Sequence, residues 1–213
     1  VDPADRAELA HWHAHEHVPE RLALPGFLRA SRWTDADGGD GFFVLYELAD
    51  LAVFTSDAYV ARLNAPTPWS TRMMPLHRQM VRSTCQVVAS RGPVTARQVL
   101  TVRLAFPADP SPQALHALDT LAVHVSGQPG TVGLHLLRHV PPALAPTTEQ
   151  AIRGHADGAA DWAVVVAGYD ADALRALGDG ALGDAALQAL GAAPGSRRSL
   201  YTLAYAAIPP DMG

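Results

Sequence analysis

The same order of helix and strand signals runs through the chain twice, and that repetition limits the fold more than any single motif does. Residues 4 to 24 carry a helical pattern, followed by Pro25-Gly26-Phe27, an alternating strand over 28–34 and a Gly/Asp turn over 35–41. A strong strand, Phe42-Phe43-Val44-Leu45-Tyr46-Glu47-Leu48, comes next, then a helix from about Asp50, the turn Thr67-Pro68-Trp69-Ser70, a short helix, and a strand over 83–90. From Gln98 the grammar returns with a complete opening strand: 99–106 strand, 111–126 helix, Gln128-Pro129-Gly130, strands over 132–140 and 162–169, a helix over 170–190 and a last strand over 200–208. Each half places Pro-Gly between its first helix and the next strand. Each also places an acidic residue, Asp50 or Asp170, where the second helix needs an N-cap.

The order β-α-β-β-α-β predicts an α+β fold of ferredoxin-like type, an antiparallel sheet with both helices on one face. Two such halves in tandem, residues 1–92 and 97–213, would pair their bare sheet faces into an intramolecular α/β barrel around an enclosed space. The linker is Arg91-Gly92-Pro93-Val94-Thr95-Ala96, and 141–158 is expected to be an exposed loop or flap. The first half shows no opening strand, so the expectation is that this strand precedes the sequence given.

Composition removes several functional classes. With a net charge of −5 and no basic cluster interleaved with aromatics, nothing marks a nucleic-acid partner. All 16 basic residues are Arg, which excludes Schiff-base lysines and a P-loop lysine. This Arg-only usage, with abundant Ala, Gly and Pro, is the mark of a GC-rich bacterial genome. No apolar run approaches the roughly 20 residues of a membrane span, and no signal-peptide pattern opens the sequence, so the expected location is cytoplasmic. Cys85, the single cysteine, sits in a strand pattern and is expected to be inert. A small-molecule substrate remains, with an exterior free to form a homodimer of tandem chains.

The densest set of titratable groups is Leu9-Ala10-His11-Trp12-His13-Ala14-His15-Glu16-His17. On a helical wheel Leu9, Trp12, His13, Glu16, His17 and Glu20 share one side, with His11 and His15 towards water. Pro19 predicts that the helix ends near His17, where helix-end carbonyls would draw its titration towards neutral pH. A histidine beside a carboxylate on a core-facing surface is a candidate acid/base pair, although pairs at helix edges are often only solvated caps. A metal site is disfavoured, because the H-E-x-x-H order and a third ligand are both absent.

Leu9-x-x-Trp12-His13-x-x-Glu16-His17-Val18-Pro19-Glu20-Arg21, Pro25-Gly26-Phe27, Arg29 to Trp33, Leu45-Tyr46-Glu47-Leu48, Ser56-x-x-Tyr59 and Pro66-Thr67-Pro68-Trp69-Ser70 together resemble the EthD-like branch of the dimeric α/β-barrel superfamily. The likeness spans roughly residues 5 to 85; the second half resembles the superfamily only in its element order. It implies cofactor-independent oxygenases, lactone isomerases, polyketide cyclases, decarboxylases or haem-dependent enzymes, and it carries over to Glu16, His17, Pro19, Arg21, Tyr46 and Trp69. His13 departs from the aromatic residue usual at that place.

From these residues the expected activity is cofactor-independent acid/base chemistry on an aromatic, polyketide-like or lactone-like substrate. His17 would be the base or acid, Glu16 would orient and tune it, Arg21 or a strand Arg (Arg29 or Arg32, whichever faces the barrel) would steady oxyanion charge or bind a carboxylate or enolate, and His13 is a further candidate. Trp33, Tyr46, Tyr59 and Trp69 are candidate pocket walls, with ordinary core packing as the plainer alternative. Arg29 and Arg32 have opposite strand parity, so one is expected inside and the other in solvent. His135 and His139 share parity, and an inward His135 would face the substrate or serve as an axial haem ligand. The competing classes are a non-catalytic binding or assembly module, recognised by a filled interior, and a haem enzyme.

Overall fold

The computed structural model describes residues 1–107, 109–154 and 157–212. The strands are β1 Phe27–Asp35, β2 Phe42–Leu48, β3 Cys85–Arg91, β4 Gln98–Leu104, β5 Thr131–His139, β6 Trp162–Gly168 and β7 Arg197–Ala207. The helices are α1 Arg6–Trp12, α2 Val18–Leu22, α3 Asp57–Asn64, α4 Pro68–Met73, α5 Pro112–Ser126, α6 Thr148–Arg153, α7 Ala171–Asp179 and α8 Asp184–Ala189. A π turn, His13–His17, joins α1 to α2 without a break.

All seven strands form one curled antiparallel sheet in the order β2-β1-β7-β4-β6-β5-β3, the half-barrel of the α+β class expected. The run β7-β4-β6-β5 is the ferredoxin-like order. β1 pairs with β7 and β3 with β5, so strands early and late in the chain share one hydrogen-bonded ladder.

Strand alternation sorts the core into layers. Leu100, Val102, Leu134, Leu136, Val164 and Val166 point outward against Leu118, Ala122 and Val125 of α5, Leu174 of α7 and Leu187 of α8. Val18 and Leu22 of α2 meet Phe27, Ala30 and Ala207 on the outer face of β1 and β7. The inner face is filled by Trp33, Val94, Val99 and Val165, with Phe43, Leu45, Leu137, Tyr201 and Leu203 against them. The enclosed space expected between the two halves is therefore packed with side chains drawn from both.

The repeated Pro-Gly turns are built alike. Gly26 and Gly130 hold φ of +88° and +91°, and each carbonyl accepts the backbone N–H that leads into the next helical segment, from Ala49 and from Tyr169. A Cβ on Gly26 would lie 2.4 Å from Val53 Cγ2, and one on Gly130 would lie 2.4 Å from Ala173 Cβ. Asp50 and Asp170 cap as expected, accepting from Ala52 and from Asp172 and Ala173.

Three expectations need correction. The helix does not stop at His17: Pro19 lies in the first turn of α2, and the π turn widens the helix just before it, where a regular turn would push the proline ring into the carbonyl of His15. The helix expected over 170–190 is two, α7 and α8, broken at Gly180 and Gly183, where a Cβ on Gly183 would meet the Asp179 carbonyl at 2.5 Å. The segment 141–158 is no mere exposed loop, since it contains α6, whose Glu149 and Arg153 are buried. Among the described residues no helix is long and apolar enough to cross a membrane.

Gly26→Ala and Gly130→Ala combine a positive φ with a clash, so each should cost about 2 kcal/mol or more in denaturant unfolding. Gly38, at φ +80° with nothing within 4 Å of a Cβ, is the control. Its Ala variant should lose only about 1 kcal/mol.

Candidate functional site

The α1–π–α2 helix lies on the outer face of β1 and β7, held there by two side chains that rise from the sheet. Arg32 Nη1 donates to the Ala10 carbonyl at 3.1 Å, and Tyr205, its cross-strand partner, reaches the Ala14 carbonyl at 3.5 Å. Spacing of four residues sets His13, His17 and Arg21 along one side of this helix, and all three turn inward, while His11 and His15 are exposed. Tyr46 of β2 shares the helix-facing parity of Ala30 and Arg32.

Arg21 anchors the cluster. Its Nη2 donates to both carboxylate oxygens of Glu149, at 2.6 and 2.7 Å, with both side chains at most 5% exposed. The guanidinium lies 5.9 Å from the Tyr59 ring centroid, and the Tyr59 hydroxyl accepts from Arg82 Nη2 at 2.9 Å. Phe27 sets its ring against both Tyr46 and Tyr59, at 5.8 and 5.7 Å. Several polar atoms buried in this layer have no partner among the described residues: Nδ1 of His13, Nδ1 of His17, the Tyr46 hydroxyl and Nη1 of Arg21. His17 forms no hydrogen bond with any described residue, and neither it nor Tyr46 is fully sealed from solvent.

Electrostatics keep these imidazoles neutral. Burial first, then the charge of Arg32 and the neighbouring His77 and Arg21, pushes His13 down to about 3. Burial, with Arg21, His13, His77 and Arg82, holds His17 well below the ordinary histidine range, which overturns the near-neutral titration expected of a helix end. Burial likewise drives the Tyr46 phenol far above its ordinary value, so it stays a protonated donor. Burial opposes the Arg21 charge, but Glu149 more than offsets this and raises its pKa.

Glu16 does not bond to His17. Its Oε1 accepts from Thr67 Oγ1 at 2.6 Å, Ser70 Oγ at 3.0 Å and Trp12 Nε1 at 3.0 Å, a knot that ties the first helix to α4. Trp12 lies between them, its indole over the His17 ring with centroids 4.5 Å apart and planes 35° apart.

The remaining sequence candidates lie elsewhere. Trp33 is wholly buried in the barrel interior and donates to the Ala96 carbonyl. Arg29, also on the inner-facing parity, pairs loosely with Glu47 at 3.6 Å. His135 is buried there too, its Nδ1 2.8 Å from Ser90 Oγ, and an axial haem role for it would require displacing the packed side chains beside it. Trp69 packs on the far side of the helix, edge-on to His11 at 5.3 Å. Burial pushes the Cys85 thiol up to about 11, in keeping with an inert side chain. A groove of about 300 Å³ lies away from the cluster, lined by residues including Arg103, Asp161, Pro194 and Arg197. No group of three or more His, Cys, Asp or Glu among the described residues could hold a metal ion.

Sequence reasoning passed over Glu149, Arg82 and Tyr205, and it offered Arg32 only the barrel interior or solvent, whereas Arg32 lies between the helix and the sheet. A signal for Glu149 was present: Thr147 and Gln150 form a reciprocal capping box that announces α6. Arg82 and Tyr205 carried no local signal.

No family model matches the sequence, and a search of curated proteins finds no match. Solved structures do match in fold. An anthrone oxidase-like protein superposes with a TM-score of 0.62 at 14% identity, covering 98% of this chain and 89% of that one. A candidate monooxygenase from Fusobacterium nucleatum gives 0.53 at 11% identity with the same coverages, and another from Lactobacillus acidophilus NCFM gives 0.56 at 9%, covering 97% and 90%. The chain therefore shares with these structures the α+β fold of a curled antiparallel sheet with helices packed on it.

A histidine held neutral in the native state but free to protonate when unfolded makes stability rise with pH between its two pKa values. For His13 that window runs from about 3 to the ordinary 6.5, so its contribution is full above 6.5 and is lost as pH falls. The slope from one such group approaches about 1.4 kcal/mol per pH unit. Denaturant midpoints at pH 7 and pH 4.5 should therefore differ less in His13→Asn than in the parent.

Proposed function

We propose that the protein is a small-molecule enzyme of the oxygenase or related acid/base type, allied to the EthD-like branch, acting on a flat carbon acid such as an anthrone-like, polyketide-like or lactone-like compound. The observation that carries this reading is the half-buried His17 imidazole, held neutral and without a partner among the described residues, in the same layer as two donors likewise unpartnered there, the Tyr46 hydroxyl and Arg21 Nη1. A neutral imidazole can accept a proton, whereas a protonated one cannot. Donors without partners are available for an oxygen whose charge develops during reaction.

In this mechanism His17 takes the acidic C–H proton and Tyr46 and Arg21 hold the enolate oxygen. The imidazolium so formed lies under the Trp12 ring, where a cation is favoured over the aromatic face. Low water content strengthens each of these interactions. The carbanion then has two outcomes. Reprotonation at another carbon gives isomerisation. Reaction with dioxygen forms a C–O bond, and loss of water from the hydroperoxide converts CH2 and O2 to C=O and H2O; the substrate carbon is oxidised and both oxygen atoms are reduced. Neither outcome calls on a cofactor for the proton step.

The filled inner face favours a second reading, a non-catalytic module whose helix–sheet layer is only a polar core. Activity separates the two. In a panel of anthrone, a 1,3-diketone and an unsaturated lactone under air, followed by absorbance and oxygen uptake, His17→Ala should lower turnover about 100-fold or more, and Tyr46→Phe about tenfold or more. Full turnover in His17→Ala would remove the base assigned here.

A further inference from the structure

Arg21, Arg32, Arg82 and Arg153 surround the buried imidazoles, and their counter-charges are unequal. Arg21 has Glu149, and Arg153 has Asp157 at 3.1 Å. Arg32 and Arg82 face no carboxylate among the described residues, their protein partners there being the Ala10 carbonyl and the Tyr59 hydroxyl. Among the described residues, therefore, neither of these two cations is paired with a carboxylate.

Arg32 is the more demanding of the pair. It is 9% exposed, and of its five N–H groups one meets an acceptor. Its neighbours are neutral: His13 beside it, Tyr205 directly across the ladder and Tyr46 on the same face. Burial lowers the Arg32 pKa, and the two tyrosines only partly oppose this. A guanidinium remains charged under such conditions, and none of its nitrogens is among the sealed, unpartnered atoms of the layer, so its remaining N–H groups stay open to water or to an anion that replaces it. The fork of remaining N–H groups is shaped for the two oxygens of a carboxylate, or for one ionised enol or phenol oxygen.

We infer that Arg32 is an anion-binding residue of this site and that its ligand arrives with an anionic oxygen on a flat apolar body, the body lying against Phe27, Tyr46 and Tyr59. The inference rests on the site proposed above and adds the charge class of its substrate. The anion also explains why the layer tolerates neutral histidines among cations: a bound negative charge lowers the cost of protonating His17 during proton transfer.

The test uses 2-naphthoate and its neutral isostere 2-naphthamide, titrated into the full chain by calorimetry. The parent should prefer naphthoate by about tenfold or more, the worth of a charge-assisted hydrogen bond. Arg32→Gln should abolish the preference while leaving naphthamide affinity unchanged, and Arg32→Lys should keep most of it. If Arg32→Gln does not fold, Arg32→Met preserves the apolar stem and carries the same comparison. Equal affinities in the parent, or an intact preference without the Arg32 charge, would overturn the inference. A preserved preference beside a fully active His17→Ala would instead leave the anion site standing and remove the catalytic reading.

Discussion

The buried pair between Arg21 and Glu149 holds the rest of the site in place. The two residues are 128 positions apart, and no other described ion pair has both side chains so fully covered. Removing one partner of such a pair typically costs about 3–5 kcal/mol, because the survivor is left charged and dry. Through it α6, which belongs to the later half of the chain, is fixed over the helix carrying His13 and His17. The polar cluster is thus asymmetric by construction: one half supplies the imidazoles, the other supplies the carboxylate that makes their neighbouring cation tolerable.

The second constraint is the division of labour between the two faces of the sheet. The inner face spends its residues on Trp33, Val99, Val165 and their neighbours, which close it as a core. Polar and titratable groups are then left to the layer between helix and outer face, where Arg32, Tyr46 and Tyr205 project from strands whose alternate residues face the core. A single shift of register in β1 would exchange Arg32 with Trp33 and ruin both layers together. The π turn works to the same end from the other side, letting the helix run on through Pro19 to Arg21, so that the ion pair and both histidines lie on one continuous element.

Much of this was legible in the sequence. The two Pro-Gly turns, the paired aspartate caps and the alternation of β2 are local signals, and local signals survive into the fold because a positive φ, a cap or a strand parity is satisfied within a few residues. Leu9 and Trp12 marked a buried side of the first helix, but that side packs mainly on Met73 and Met74, while Val18 and Leu22 meet the sheet. What could not be read depends on distance through space. That Glu16 serves Thr67 and Ser70 rather than His17, that Arg21 finds Glu149, and that the barrel interior closes on Trp33 are outcomes of packing between segments far apart in the chain. The end of the helix was misjudged for a different reason: the proline rule is sound for a regular helix, and the π turn relaxes it.

The electrostatic character of the layer follows from these placements together. Cations held by a remote carboxylate, and cations with none, depress the histidines beside them, and burial does the same, so the resting state is a set of neutral bases in a positive field. Such a field opposes protonation of His17 in the empty protein and favours any ligand that brings or develops negative charge. In the mechanism proposed above the two effects would be coupled: negative charge gained by the ligand would offset the positive field that keeps the imidazole neutral, so the base would strengthen as an enolate formed. Under that mechanism, a base that is weak in the empty protein and stronger beside a bound anion would confine proton transfer to the complex, with no moving part beyond the ligand itself.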